Sequence, residues 1–323
     1  MPSGSARTSG AERLLRAGLW LVLLSVVATT RTDPDLWGHV RFGQDIIRTG
    51  TVRQADAYSF TSDQPWVNHE WASEVAFGLA FNAAGNAGLV GLKLLIVLGG
   101  LMLLNGTLVR DGVRDARHRD LLAAIAVIAT IQQAHHIRPQ LFSLLCFSAL
   151  LAALLAARRA PWWLWAVPAI FAAWVNFHGG WLVGGGVLVL WTIGLAVSRG
   201  SGVRGALPYA AAGAAALVAT LVNPMGVGMH RFLIETVGFG RADITEWQPV
   251  YALGPSIWGL WIVVAILAGF GGLRVWRAGG TPERLIVVGT LARPWTPRTR
   301  PPPLGNLAQN ARFPHRPPPS SVS

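Results

Sequence analysis

The sequence has little charge, one cysteine and one lysine. Only 13% of its 323 residues are charged, whereas a soluble domain carries about 25% charged residues. This deficit excludes an ordinary soluble surface and indicates that lipid surrounds much of the chain. The single thiol, Cys146, excludes an intramolecular disulfide, and its apolar neighbours are typical of a small buried side chain. Lysine occurs once, at Lys93, so the basic balance is almost entirely arginine.

Motifs for soluble cofactors are also missing. The sequence has no Walker loop, no dinucleotide-binding glycine fingerprint and no metalloprotease spacing. We therefore do not expect an ATP-driven pump. The net charge of +12 would suit nucleic acid, but the arginines lie in short loops between apolar runs rather than on one soluble face. We expect no nucleic-acid partner.

Long apolar runs are what the sequence does contain. A spanning helix needs about 20 mainly apolar residues, and tilt or local thinning of the bilayer accommodates shorter ones. Eight segments fit: 14–30, 88–109, 120–135, 139–157, 161–177, 180–198, 205–223 and 255–273. We predict an all-α integral membrane protein with about eight transmembrane helices. The first is predicted to stay uncleaved, since no small-residue cleavage site follows it.

The distribution of arginine predicts the orientation. With the N-terminus inside, the inner segments hold 13 arginines and the outer segments hold 7, before the C-terminal tail is counted. Positive charge favours the cytoplasmic side, so we predict a multi-pass protein of the bacterial inner membrane with a cytoplasmic N-terminus. The same threading puts ten of the fifteen acidic residues outside. The outer, extracytoplasmic face is therefore the predicted site of any chemistry.

Two outer segments are long, 31–87 and 224–254. Apolar positions of the first predict two helices lying along the membrane surface, one around Leu36 to Ile47 and one from Glu70 to Ala84. We treat 1–275 as one polytopic domain. Residues 276–323 are rich in proline and arginine; this composition is typical of a disordered tail, and a change of reading frame is the alternative.

The first outer segment opens with Asp33-Pro34-Asp35 and closes with Asn68-His69-Glu70-Trp71. Alternate carboxylates on an extended segment suit either a divalent cation such as Mg²⁺ or Mn²⁺, or a general base with an orienting partner. They also suit a plain acidic collar where a helix leaves the membrane. Asn68 is a possible helix cap, while Asp35 and His69 are the predicted metal ligands.

The remaining outer turns carry further polar groups. Arg138 has the fork geometry that binds phosphate oxygens, and Gly179-Gly180 allows a close approach of backbone or ligand. Turn formation and interfacial anchoring explain the same residues without a ligand. With that alternative open, we predict a substrate-binding set of His39, Asn68, His69, Glu70, His136, Arg138, Gln140, Asn176, His178, Asn223 and Glu246.

These positions carry a resemblance to known proteins. Segments 32–39, 68–71, 136–140, 176–180, 223–224 and 246–247 resemble those of a group of bacterial multi-spanning membrane proteins. That group is in turn similar to the type C membrane glycosyltransferases, which include protein O-mannosyltransferases, lipid A aminoarabinose transferases and oligosaccharyltransferases. The likeness covers about residues 14–275, and it is specific for the bacterial group rather than for the transferases.

The resemblance implies a reaction. It implies a sugar donor linked to polyprenyl phosphate, used on the outer face of the membrane, with Asp33 or Asp35 as the catalytic base. The acceptor would be a glycan, lipid or protein. Two other classes stay open, a multi-spanning transporter and a non-catalytic membrane assembly protein. A transporter should carry polar groups at mid-membrane depth, whereas the predicted span interiors are almost free of charge apart from Lys93.

Overall fold

The structure, a computed structural model, describes residues 9–31, 33–58, 66–198 and 201–238, and nine single positions between 259 and 277. Within these ranges the chain is all-helical and contains no strand. The helices are α1 (Gly10–Ala28), α2 (Leu36–Thr49), α3 (Trp71–Arg110), α4 (Ala116–Ala129), α5 (Ile131–His135), α6 (Gln140–Ala157), a 3₁₀ turn (Pro161–Trp165) leading into α7 (Ala166–Phe177), α8 (Trp181–Val197), α9 (Gly202–Ala219) and α10 (Val227–Gly238).

The all-α prediction is confirmed for the described residues, and a helix lies at seven of the eight predicted spans. Three helices are long and apolar enough to cross a membrane, namely α3, α6 and α9, and α8 is a shorter apolar helix. Eight spans therefore stay a prediction. The predicted span 255–273 lies mostly outside the described residues, as does the proline-rich tail.

Helix α3 is two helices joined at a sharp bend. Ala84 and Gly85 leave helical geometry, and Gly85 takes a φ of 56°, a conformation that glycine adopts at little cost. The part before the bend coincides with the surface helix predicted for residues 70–84. The part after it, 86–110, is about 37 Å long at 1.5 Å per residue, enough to cross a bilayer. The bend thus separates the predicted surface helix, called the peripheral half of α3, from a part that is long enough to span a membrane.

The peripheral half of α3 packs closely against α2. A β-carbon added at Gly43 would lie 1.8 Å from the carbonyl oxygen of Glu74, and one at Gly78 would lie 2.9 Å from the backbone of Gln44. Only glycine allows backbones to come so near. This contact fixes where the polar side chains of α2 lie relative to the first turns of α3, including His39 beside Glu74.

Lys93 anchors the end of the first helix. Its side chain is fully buried, and Nζ donates hydrogen bonds to the Thr29 carbonyl at 2.9 Å and to the Thr30 hydroxyl at 2.8 Å. A cation is favourable at a helix C-terminus, where backbone carbonyls lack partners. The one lysine therefore holds the chain just before Asp33 rather than lining a path through the helices.

Contacts between distant segments define two polar ends. At one end, called the cleft end because the cavity of the candidate site opens there, the Arg31 amide donates to the His135 carbonyl at 2.9 Å. At the same end the Ser73 hydroxyl donates to the Phe177 carbonyl at 2.6 Å. At the other end, called the arginine end, Arg16 pairs with Asp120 at 2.5 Å. The predicted outer segments thus share one end, and the side of the membrane that each end faces stays a prediction.

Large apolar side chains cover the helices between these ends. Leu95 and Met102 of α3 are 71% and 68% exposed, and Val183 of α8 is 60% exposed. Water-soluble proteins rarely expose such contiguous apolar surface. The helices bury other apolar residues in two clusters, one around Phe77 and Leu141 and one around Trp174 and Trp191. Exposed apolar faces on long helices are consistent with a lipid environment.

Candidate functional site

A cleft of about 420 Å³ opens at the cleft end, a size within the usual range for small-molecule sites. It lies where the start of α2, the residue before α3 and the turn before α6 meet. Its lining is Pro34, Asp35, Gly38, His39, Phe42, Glu70, Arg138, Pro139 and Gln140. Five of the predicted site residues, Asp35, His39, Glu70, Arg138 and Gln140, therefore share one cavity although up to 105 sequence positions separate them.

The two aspartates after α1 differ in surroundings. Asp33 is buried, with 2% of its side chain exposed, and forms an ion pair with Nε of Arg138. Asp35 is 66% exposed, and its Oδ2 lies 3.3 Å from an end nitrogen of the same guanidinium. Asp33 also accepts the Asp35 amide at 2.9 Å. Asp33 therefore holds Arg138 and the loop, while Asp35 lines the cleft.

His39 is tied to a buried carboxylate. Its Nδ1 lies 3.2 Å from Oε1 of Glu74, whose other oxygen accepts the Asn68 side-chain amide at 2.5 Å. Burial lowers the pKa of His39, but the bond to Glu74 and the charges of Glu70, Glu74 and Asp35 outweigh that effect and raise it. Asn68 belongs to this hydrogen-bond network but does not line the cleft. Its Oδ1 accepts the Glu70 amide at 3.2 Å.

Glu70 has no guanidinium within bonding distance among the residues that the structure describes. Its nearest basic groups are two imidazoles, with Nε2 of His69 and Nε2 of His178 each 3.7 Å from Oε1 of Glu70. These distances exceed that of a hydrogen bond. Burial raises the pKa of Glu70 from its ordinary 4.5 to about 7, against the opposing charge of His39. Glu70 therefore changes protonation near neutral pH while facing the cleft.

His178 and His69 flank Glu70 in apolar surroundings. Burial, with smaller effects of charge on His69 and His39, lowers the pKa of His178 to about 4. Burial likewise lowers the pKa of His69, whose ring lies 5.0 Å from the ring of Phe232. His178 is therefore neutral at pH 7, and burial favours the neutral form of His69 as well.

Other predicted site residues take structural positions. Asn176 accepts the indole N–H of Trp71 at 2.8 Å and donates to the Val222 carbonyl at 2.8 Å, so it ties α3 to the turn after α9. Asn223 closes that turn by accepting the Met225 amide at 2.8 Å. His136 follows α5 and is not among the residues lining the cleft. Glu246 lies outside the described residues.

The structure adds residues that the sequence did not single out. Ser143 lies one turn into the apolar helix α6, and its hydroxyl is 2.7 Å from Nδ1 of His178. Trp174 donates its indole N–H to the same hydroxyl at 2.7 Å. Glu74 holds both His39 and Asn68. A serine and a glutamate on otherwise apolar faces are the only signals of these roles in the sequence.

The predicted metal ligands do not form a cluster. Among the residues that the structure describes, no group of three or more histidine, cysteine, aspartate or glutamate side chains is placed to hold a metal ion. The recorded ion pairs of Asp35 and His69 run to different partners, Arg138 and Glu70. The divalent cation therefore stays a prediction from the sequence.

The cleft contains groups that exchange protons and groups that bind oxygen atoms, rather than a loop that would hold the phosphates of a nucleotide. Arg138 offers cationic N–H donors, Glu70 exchanges a proton near pH 7, and Oε1 of Gln140 is a buried acceptor without a partner in the described part of the chain. Comparison with known proteins finds no matching protein family, curated protein or solved structure. The functional argument therefore depends on the site itself.

Proposed function

We propose that the protein is a membrane glycosyltransferase that moves a sugar from a polyprenyl-phosphate donor to an extracytoplasmic acceptor hydroxyl. The observation that carries the proposal is the convergence, in one cleft, of a guanidinium, an exposed aspartate and a carboxylate with a pKa near 7. This combination matches the needs of sugar transfer from a lipid phosphate, in which a proton and a phosphate are handled at the same place.

Arg138 is the phosphate-binding group of the proposal. Its side chain lines the cleft and is 20% exposed, and guanidinium N–H groups pair with phosphate oxygens in a fixed geometry. The buried Asp33 holds this guanidinium in place. Arg138 would offset the charge that grows on the departing phosphate, and Asp35 would be displaced from it as the phosphate binds.

Glu70 is the better general base than either aspartate. Asp33 is buried in an ion pair, and Asp35 shares the same guanidinium, whereas Glu70 has only two imidazoles near it, each 3.7 Å away. In the proposed step the acceptor oxygen attacks the anomeric carbon and gives its proton to Glu70. The bond from that carbon to the phosphate oxygen breaks, and polyprenyl phosphate leaves with the electron pair.

Sugar hydroxyls find partners along the same walls. Gln140 offers the buried acceptor Oε1, and His39, whose Nδ1 is held by Glu74, lines the same cleft. Phe42, Pro34 and Pro139 contribute apolar wall to the cleft. This mixture of polar groups and short apolar surfaces is typical of small-molecule sites. No step of the proposal uses a metal ion.

A transfer assay tests the proposal. Proteoliposomes holding the full-length protein receive polyprenyl phosphate carrying a radiolabelled hexose, or in parallel a labelled pentose, with membrane extract as the source of acceptor. We expect label to leave the donor pool in wild type and to stay there in Arg138→Ala and Glu70→Gln. Full transfer by both variants would refute the assignment.

A solute-flux assay addresses the alternative of a transporter. Lys93, the charge buried within a spanning helix, donates to the end of α1 and so anchors the backbone. We therefore expect no wild-type-specific uptake of labelled sugars into the same proteoliposomes. Uptake without any loss of label from the donor pool would favour transport over transfer.

A further inference from the structure

The surroundings of His178 decide which of its ring nitrogens carries the proton. Nδ1 lies 3.0 Å from the backbone nitrogen of Gly180, which donates to it, and 2.7 Å from the hydroxyl oxygen of Ser143. That hydroxyl in turn accepts the indole N–H of Trp174 at 2.7 Å. Two independent groups therefore converge on the same nitrogen.

A neutral imidazole has one N–H donor and one acceptor nitrogen. A backbone amide only donates, so the contact with Gly180 requires Nδ1 to be the acceptor. The oxygen of the Ser143 hydroxyl accepts from Trp174, and the hydroxyl proton is directed to Nδ1. The proton of neutral His178 then resides on Nε2, the nitrogen that faces Oε1 of Glu70 at 3.7 Å.

The outward N–H lies beside Glu70, which lines the cleft, although His178 itself is not among the lining residues. A distance of 3.7 Å is too long for a direct hydrogen bond to Glu70, and the hydrogen bonds of the ring to residues that the structure describes are both made at Nδ1. About 21% of the side chain is exposed. An oxygen placed beside both groups would accept from His178 and, as a hydroxyl, donate to Glu70.

We propose that His178 is a fixed hydrogen-bond donor to an oxygen of a ligand bound beside Glu70, with Ser143 and the Gly180 amide as the positioning groups. A metal ion would need a lone pair on Nε2, which this tautomer lacks. The inference rests on the proposed function only for the identity of that oxygen, namely the acceptor hydroxyl that Glu70 deprotonates.

Glycine is required at position 180 for this arrangement. A β-carbon there would lie 2.4 Å from the Ser143 hydroxyl and 3.0 Å from Nδ1 of His178, whereas one at Gly179 would lie 3.4 Å from a methyl of Leu233. Gly180 has φ of −60°, which alanine also adopts. Gly180→Ala thus disturbs the bond by contact alone, and Gly179→Ala is its matched control.

Nitrogen NMR of the full-length protein in nanodiscs, labelled with [¹⁵N]histidine, measures the tautomer directly. The signals of His178 are those that disappear in His178→Gln. We expect the proton on Nε2 in wild type, in Gly179→Ala and in Ser143→Thr, which keeps the hydroxyl. We expect a mixture of tautomers in Gly180→Ala. A wild-type proton on Nδ1 would overturn the inference, whether or not transfer occurs.

The transfer assay then measures the role of the donor. A glutamine at position 178 places an amide N–H near the position of Nε2, while a leucine removes it. Leaving a polar partner unpaired costs about 1–3 kcal/mol, equivalent to about 5- to 150-fold. We expect His178→Leu to lose about that factor and His178→Gln to stay within about 5-fold of wild type, since it retains a donor. Equal losses in both variants would contradict a donor role, whereas absence of transfer in wild type would contradict the proposed function alone.

Discussion

The two polar ends of the molecule contain the same residue types in different arrangements. At the arginine end, Asp120 accepts from Arg16 at 2.5 Å and from the Trp20 indole at 3.1 Å, and Glu12 pairs with Arg117 at 3.0 Å. At the cleft end, Glu70 has two imidazoles at 3.7 Å and no guanidinium within bonding distance in the described residues. A carboxylate that is paired stabilises a helix contact, whereas one buried without a paired cation becomes an acid–base group.

The largest effect expected from this difference is on catalysis. Glu70→Gln removes the base but keeps the shape of the side chain, and general-base catalysis contributes about 10²- to 10⁴-fold. We expect a loss of transfer in that range. Asp120→Asn, the same change at the arginine end, should leave the rate per folded protein within about 3-fold, since Asp120 lies outside the cleft. The comparison fails if both variants transfer equally well.

The next effect is on stability. Arg138→Ala leaves Asp33 buried without its cation, and removing one partner of a buried ion pair costs about 3–5 kcal/mol. Arg16 is 35% exposed, so Arg16→Ala should cost about 1 kcal/mol. Denaturant unfolding of both variants in the same detergent measures the two costs. Equal costs would show that Asp33 is not buried as described.

Glu70 should also make stability depend on pH. Its pKa is about 7 in the folded protein against an ordinary 4.5, so between these values the folded state binds more protons than the unfolded state. The contribution of Glu70 to the free energy of unfolding is fully present below pH 4.5 and is lost as pH rises through 7. The shift corresponds to about 3 kcal/mol at 1.36 kcal/mol per unit.

The pH effect of Glu70 is isolated by comparison with Glu70→Gln. His178, whose pKa is lowered to about 4, changes stability in the opposite direction as pH falls below 6.5. We expect wild type to lose stability relative to Glu70→Gln between pH 5 and pH 8, as measured by denaturant midpoints. A constant difference over that interval would contradict the raised pKa of Glu70.

The smallest predicted effect is on thermal stability and comes from the packing of α2 against α3, which positions the cleft residues. Gly43→Ala places a methyl group 1.8 Å from the Glu74 carbonyl oxygen, whereas Gly38→Ala places one 3.7 Å from the Phe42 ring. Overpacking of this kind costs about 1–3 kcal/mol. We expect a lower thermal midpoint for Gly43→Ala and little change for Gly38→Ala. Similar midpoints would mean that α2 and α3 are not packed through these glycines.

Much of this architecture could be predicted from the sequence because local patterns of apolar residues indicate helices. Apolar runs predicted the positions of the helices, and the bend in α3 lies between the predicted surface helix that ends at Ala84 and the predicted span that begins at residue 88. The grouping of the outer segments followed from arginine counts. The convergence of Asp35, Glu70 and Arg138 within that group was a weaker expectation, since it depended on a shared end and a resemblance rather than on spacing.

The distinctions within the site were beyond the sequence. Asp33 and Asp35 are equivalent by pattern, and only burial separates the anchored one from the exposed one. Glu70 looks like a helix-end acid until its distance from every guanidinium is known. Ser143 is one hydroxyl in an apolar helix, and its partner His178 is 35 residues away. Tertiary packing, which no local pattern encodes, decides all three.

Direct titration of Glu70 tests the central claim most sharply. The chain has six glutamates, so [δ-¹³C]glutamate labelling of the full-length protein in nanodiscs gives a small set of carboxyl signals, and Glu70→Gln identifies the one that belongs to Glu70. We predict that its chemical shift titrates with a midpoint near pH 7. A midpoint near the ordinary value of 4.5 would show a solvated or paired carboxylate and would contradict its assignment as the base.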